Sequence, residues 1–137
     1  MPLLKDYESV EQLAGVIRFR YPRFTAAQAH FVARAWSEPY GDRVRLLGDP
    51  RHRWVNPVRY ARDDSEACWR EVKAAVLMVV GDESEYLAKI GPDACDDAFR
   101  ANMPHAQIAH IPGAGHMLHI EQADRVAALV ENFLSAH

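Results

Sequence analysis

Two short segments of the chain carry residues that could do acid–base chemistry. Residues 81–86, Gly-Asp-Glu-Ser-Glu-Tyr, are named the acid loop here, and residues 112–117, Pro-Gly-Ala-Gly-His-Met, are named the histidine loop. A histidine exchanges protons near neutral pH, and a carboxylate beside it can orient the ring and stabilise the imidazolium. His116 and a carboxylate of the acid loop therefore form a candidate acid–base pair, although a surface histidine and a helix-capping acidic turn would show the same pattern.

The elements around these loops predict a pair of parallel strands that would bring the loops together. Residues 74–80 form an unbroken apolar run ending at Gly81, which is typical of a strand covered on both faces. Residues 94–102 favour a helix and residues 106–111 a second strand, so the strand–helix–strand order predicts parallel pairing. A helix with a clear apolar stripe is predicted over 121–135. Parallel strands end at one edge of a sheet, where open α/β sheets place their catalytic groups.

The first half of the chain predicts helices joined by loops rich in proline and arginine. Capping boxes that begin at Ser9 and Thr25 predict helices over 9–20 and 25–37. Residues 41–60 indicate a loop with short extended pieces.

A third helix is predicted over 64–72, with Asp63 or Asp64 as its N-cap. The pattern then changes from helices and loops to alternating strands and helices. We therefore expect two domains, a helical segment over 1–72 and an α/β segment over 73–137.

The two loops and their flanking strands resemble the end of α/β-hydrolase-fold enzymes. In that family a hydrophobic strand ends in glycine shortly before the acid of the catalytic triad, and a later strand leads into a glycine-containing loop and the catalytic histidine. Residues 76–85, Val-Leu-Met-Val-Val-Gly-Asp-Glu-Ser-Glu, match the first piece, and residues 111–122, Ile-Pro-Gly-Ala-Gly-His-Met-Leu-His-Ile-Glu-Gln, match the second. The resemblance implies His116 as the general base and Glu85 as the acid, with Asp82 as the alternative acid.

The resemblance also implies a fold class and an activity. The expected class is α/β: the C-terminal part of an α/β-hydrolase fold, with two parallel strands, flanking helices and an N-terminal helical cap segment over residues 1–72. Residues 48–60 resemble the serine hydrolase-like branch of the family. The implied reaction is serine-type acyl hydrolysis of a small ester or amide, with no cofactor.

The nucleophile of such an enzyme is absent from this sequence. No Gly-x-Ser-x-Gly elbow occurs, and the serines stand only at positions 9, 37, 65, 84 and 135. The resemblance covers about the second half of a full family member, so we expect a fragment that needs its missing N-terminal half or associates with itself. The chain alone is expected to be inactive. The alternative is an inactive remnant or binding module that keeps the cap and the last strands.

Composition excludes several other classes of protein. The chain has 137 residues and a net charge of −3, which argues against non-specific electrostatic binding to nucleic acid or to anionic membranes. No apolar run is long enough to span a bilayer, and residues 1–6 lack the basic and apolar regions of a signal peptide. Cys68 and Cys95 are too few for a disulfide framework and are expected to be reduced, partly buried thiols. These features predict a cytoplasmic protein.

Two side-chain clusters suggest other functions that we consider weaker. Several histidines lie close in sequence, but no Glu of an H-E-x-x-H helix and no cysteine pair accompanies them, so no metal site is predicted. The cluster consists of His105, His110, His116 and His119. Basic and aromatic residues interleave over 51–62, a pattern that can bind single-stranded nucleic acid. With a negative net charge, ion pairs between these arginines and nearby aspartates are the favoured interpretation, and no nucleic-acid partner is predicted.

Overall fold

The computed structural model describes residues 5–137, apart from the side chains of Pro50 and Arg53. Residues 1–4 of the segment compared with a signal peptide, and the Arg53 side chain of the basic cluster, lie outside the described residues. Two compact units are present, Met1–Arg59 and Tyr60–His137. The helix over residues 62–70 belongs to the second of these units.

The first unit begins as the capping boxes predict. Helices α1 (Val10–Arg20) and α2 (Ala26–Ala35) start after Ser9 and Thr25, whose hydroxyl oxygens accept hydrogen bonds from backbone N–H groups of the first turn. Thr25 forms the complete reciprocal box. The apolar stripes of these helices supply much of the unit's core, and its most buried large side chains are Leu13, Phe24 and Val32.

A small antiparallel sheet in the first unit was not predicted. Strands β1 (Asp6–Tyr7), β2 (Ser37–Tyr40) and β3 (Arg43–Leu46) pair in the order β1-β3-β2. Gly41, with φ +62°, begins the two-residue turn between β2 and β3 and supplies the positive φ that a type II′ hairpin needs at this position. The short extended pieces expected over 41–60 include β3, whereas the helix predicted over 25–37 ends at Ala35 and is followed by β2.

Side-chain contacts of Arg45 join β3 to both of its neighbouring strands. The Arg45 guanidinium donates two hydrogen bonds to the Asp6 carboxylate, at 2.8 and 3.1 Å, and this contact lowers the pKa of Asp6. The same guanidinium lies 3.2 Å from the centroid of the Tyr40 ring. The pairing residue for Asp6 thus comes from 39 positions away in the sequence, which explains why local patterns did not indicate the sheet.

The second unit contains the predicted parallel pair. Strands β4 (Leu77–Gly81) and β5 (Gln107–Ile111) pair in parallel, with Leu77 beside Gln107 and Gly81 beside Ile111. The fold class is thereby confirmed, although β4 starts three residues later than predicted. The continuous apolar run did not mark where pairing begins, because pairing partners rather than hydrophobicity set the ends of a strand.

Helices surround the strand pair. Their bounds are α3 (Arg62–Arg70), α4 (Glu85–Ile90), α5 (Asp96–Asn102), α6 (Leu118–Glu121) and α7 (Ala123–Ser135). The predicted N-cap of α3 is wrong: Ala61 is the N-cap, and Asp63 and Asp64 lie inside the first turn, where carboxylates interact favourably with the helix dipole. The short α4 was not predicted, whereas α5 and α7 lie within the expected ranges. Within residues 5–137, no helix has the length and apolar character that crossing a bilayer would require.

The open edge of β4 has an expected consequence for association. Gln107 N–H donates to the Val76 carbonyl and Asp82 N–H donates to the Ile111 carbonyl, so strand alternation points the backbone groups of Leu77 and Val79 away from β5. No strand pairs with that edge within residues 5–137. We expect the chain to self-associate or to need a partner that covers the edge, as light scattering at increasing concentration would show.

Hydrogen exchange gives the sharper measurement of this edge. The amides of Leu77 and Val79 should gain protection as concentration rises, whereas those of Met78 and Val80, which face β5, should change little. A monodisperse monomer with a cooperative melt and strong protection at Leu77 and Val79 would contradict the expectation.

Candidate functional site

The acid loop and the histidine loop meet at the carboxyl edge of the strand pair. Asp82 N–H donates to the Ile111 carbonyl at 3.3 Å, and Glu83 N–H donates to the Ala114 carbonyl at 2.9 Å. Ser84 N–H closes the acid loop on the Gly81 carbonyl at 3.0 Å. The Glu83–Ala114 hydrogen bond therefore joins the two segments that the sequence singled out, at the edge where parallel sheets place their catalytic groups.

Gly81 makes this close approach possible. A Cβ atom at this position would overlap the Gly115 carbonyl oxygen and would lie 2.7 Å from the Ala114 carbonyl oxygen. Both obstacles are backbone atoms of the histidine loop, so no side chain could move aside to make room. The glycine that ends the apolar run is thus required by the contact between the loops rather than by a positive φ.

His116 is exposed at this edge and contacts an aromatic ring of the acid loop. The ring centroids of His116 and Tyr86 lie 4.2 Å apart with an interplanar angle of 42°. The Lys89 ammonium lies 4.4 Å from the centroid of the same Tyr86 ring. The contact of Tyr86 with His116 was not predicted. The only signal for it in the sequence is that Tyr86 follows Glu85 directly.

Glu85 is the first residue of α4 and is also exposed. Ser84 caps this helix, and its hydroxyl oxygen accepts a hydrogen bond from Tyr86 N–H at 3.3 Å. Within residues 5–137, no hydrogen bond or ion pair joins Glu85 to His116. The fold therefore places both residues at the same sheet edge without a hydrogen bond or ion pair between them, and their catalytic roles stay predictions.

Asp82, the alternative acid, contacts a different histidine. Its Oδ1 lies 2.6 Å from Nδ1 of His110, a residue of β5. Nε2 of the same ring lies 3.1 Å from Oδ1 of Asp96 at the start of α5. The hydrogen bond with Asp82, followed by that with Asp96, raises the pKa of His110. The Asp82 carboxylate therefore contacts His110 of β5, and the choice between Asp82 and Glu85 as the acid stays a prediction.

Residues of the last helices hold the histidine loop in place. The Glu121 carboxylate accepts a hydrogen bond from Gly115 N–H at 2.7 Å. The Pro112 carbonyl accepts hydrogen bonds from the side chains of Gln122 and Arg125, at 3.4 and 3.3 Å. Glu121 and Gln122 belong to the 111–122 segment that indicated the site from the sequence. Their hydrogen bonds to the histidine loop were not predicted.

The other predicted clusters show no assembled site among residues 5–137. No group of three histidine, cysteine or acidic side chains there has the arrangement of a metal site. Arg51 pairs with Asp49 at 3.2 Å, as expected for a loop with internal ion pairs, while Arg62 pairs with Glu66 and Asp93. Cys68 and Cys95 are free and exposed rather than partly buried.

The second unit also contains an apolar cavity of about 490 Å³, which is separate from the two loops. It lies among α3, β4, α4 and α5, and Trp69, Met78 and Phe99 contribute much of its wall. The rings of Trp69 and Phe99 pack at 6.2 Å between centroids. Neither His116 nor Glu85 lines this cavity, so it does not form part of the candidate site.

Comparison with known proteins gives a consistent result. The sequence pattern described as "Alpha/beta hydrolase family" matches residues 4–129. Among solved structures, E-2-(acetamidomethylene)succinate hydrolase is similar with a TM-score of 0.76 and 18% identity, over 96% of this chain and 47% of that chain. A hypothetical protein from Pseudomonas aeruginosa PAO1 gives 0.76 and 20%, over 98% of this chain and 46% of that chain.

A third similar structure is the thioesterase domain from the curacin biosynthetic pathway. Its TM-score is 0.72 with 21% identity, over 94% of this chain and 46% of that chain. A search of curated protein sequences gives no significant match. The chain therefore spans about half the length of the solved structures that it resembles.

Proposed function

Because the chain belongs to the alpha/beta hydrolase family, we propose that it supplies the general base and the acid of a serine-type acyl hydrolase acting on a small ester or amide. His116 is the base, and Glu85 is the acid that orients its ring and stabilises the imidazolium. Either carboxylic residue type can serve this role, so a glutamate is chemically acceptable.

One observation carries this proposal: the backbone hydrogen bond between Glu83 and Ala114 joins the acid loop to the histidine loop at the carboxyl edge of β4 and β5. Tyr86, the neighbour of Glu85, contacts the His116 ring, so the two candidate groups share one edge. A missing direct hydrogen bond does not argue against the pair, since catalytic contacts often tighten only when substrate is bound.

The reaction needs a serine that this chain does not place in an elbow. We propose that an N-terminal half outside this sequence supplies the serine and the oxyanion hole. His116 accepts the proton of that serine as its oxygen attacks the substrate carbonyl, and then delivers the proton to the departing alcohol or amine. Water hydrolyses the acyl-enzyme through the same base. The names of two similar structures, a hydrolase and a thioesterase domain, support this class of reaction.

We further propose that residues 1–72 act as a cap segment and that the protein is cytoplasmic. The helices α1 and α2 support the first proposal, and the exposed free thiols of Cys68 and Cys95 support the second, since reduced thiols persist in reducing compartments.

The chain alone should show no serine hydrolase chemistry. We expect no covalent labelling by a fluorophosphonate probe and no hydrolysis of a small aryl ester above that of a His116→Ala variant, because nucleophile and oxyanion hole together supply most of the rate. Mass spectrometry of the probe-treated chain measures this directly. Stoichiometric labelling at one of the five serines would contradict the proposal.

The alternative is an inactive remnant or binding module, and the absence of a Gly-x-Ser-x-Gly elbow from this sequence favours it. Reading the coding frame upstream of Met1 and any adjacent short gene separates the two. A partner protein that carries a Gly-x-Ser-x-Gly motif, co-purifies with this chain and restores probe labelling supports the hydrolase. A partner without such a motif supports the alternative.

A further inference from the structure

His110 connects two elements that are not neighbours in the sequence. It lies in β5 beside Val80 of β4, one residue before the strand ends, and its side chain is 44% exposed. Its two ring nitrogens face two carboxylates, Asp82 of the acid loop at 2.6 Å and Asp96 of α5 at 3.1 Å. The three residues form what we name the His110 bridge.

The chemistry of imidazole fixes the protonation state that this bridge needs. A neutral ring has one N–H group, so it can donate to only one carboxylate, and its other nitrogen would present a lone pair to the second. Only the imidazolium donates from both nitrogens at once. In agreement with this geometry, the pKa of His110 is raised, and the hydrogen bond with Asp82 is the largest cause of the increase.

Other charged groups near the bridge do not replace either carboxylate. Arg100 of α5 lies 3.6 Å from the second oxygen of Asp96, so it shares that carboxylate without reaching the ring. Arg125 of α7 lines the same small cavity as His110, but its guanidinium donates to Pro112 and Gln122. The two aspartates remain the partners of the ring.

We propose that His110 is a positioning residue whose imidazolium fastens the acid loop to α5. Asp82 stands one residue after β4 and three before Glu85, so holding its side chain limits how the loop leading to α4 can move. The importance of this for catalysis rests on the proposed role of Glu85. The placement of the loop itself does not depend on that role.

The pH dependence follows from the protonation requirement. Because the pKa of His110 is raised in the folded chain, the bridge is complete below the ordinary histidine value of 6.5 and is lost as pH rises through the raised value. The loop should therefore be held at about pH 6 and released at about pH 9.

Hydrogen exchange of His110→Gln tests the positioning role without any measurement of activity. At about pH 6 the protection factors of the Glu83 and Ser84 amides should fall about fivefold in the variant, a modest change because the bridge is partly exposed. At about pH 9 the unmodified chain should match the variant. His119→Gln, an exposed histidine of α6, is the matched control and should change neither amide.

A titration of the histidine rings by NMR keeps the proposal testable if His110→Gln folds poorly. The midpoint of His110 should lie above 6.5 in the unmodified chain and should fall in Asp82→Asn and, by less, in Asp96→Asn. Asp97→Asn, at the adjacent exposed position, should leave it unchanged. A midpoint at or below 6.5, or unchanged loop exchange in a folded His110→Gln variant, overturns the proposal while leaving the role of Glu85 to be judged by activity.

Discussion

Replacing Gly81 with alanine should destabilise the second unit by about 3 kcal/mol, one of the two largest effects we expect from a single substitution. The added Cβ would overlap the Gly115 carbonyl oxygen and press on that of Ala114. Because these are backbone atoms, relief requires the two loops to separate, which breaks the hydrogen bond between Glu83 and Ala114. Urea denaturation followed by circular dichroism measures the loss.

Gly15→Ala is the matched control for this substitution. Gly15 lies in α1, and a Cβ there would meet no atom within 4 Å. Alanine at an open helical position should stabilise the chain by roughly 0.5–1 kcal/mol. If Gly81→Ala proved as stable as the unmodified chain, the close contact between the acid and histidine loops would be refuted.

The second large effect concerns activity once a nucleophile-bearing half is present. In that assembled enzyme, His116→Ala should lower kcat for a small aryl ester by about 10⁶-fold, because the serine loses the base that accepts its proton. Glu85→Gln should lower kcat strongly, since the amide cannot stabilise the imidazolium. Asp82→Asn should have a much smaller effect, because its carboxylate contacts His110.

His119→Ala serves as the control for this measurement. It stands three residues after His116, is exposed, and lies on α6 outside the proposed machinery. Activity that survives in His116→Ala but falls in His119→Ala would show that His116 is not the base. Equal losses in Asp82→Asn and Glu85→Gln would leave the acid unassigned and would weaken the role proposed for Glu85.

The parts of the fold that the sequence predicted depend on interactions between near neighbours. The caps at Ser9 and Thr25 involve residues three positions apart, so the pattern of residue types states the contact directly. The hairpin turn at Gly41 is equally local, but the third strand of the sheet is not. Strand β1, which pairs with β3, stands more than thirty positions earlier in the chain than the turn, and nothing near the turn indicates it.

The sequence by itself determined the family, the parallel strand pair and the two loops that carry His116 and Glu85, because strand hydrophobicity and glycine spacing are local properties. Only the tertiary structure decided which groups those loops contact. Asp82 meets His110 across 28 positions, and Tyr86 meets His116 across the two loops. Such pairs depend on the register of β4 against β5 and on the room that Gly81 leaves for the histidine loop, and both are set by packing between distant segments.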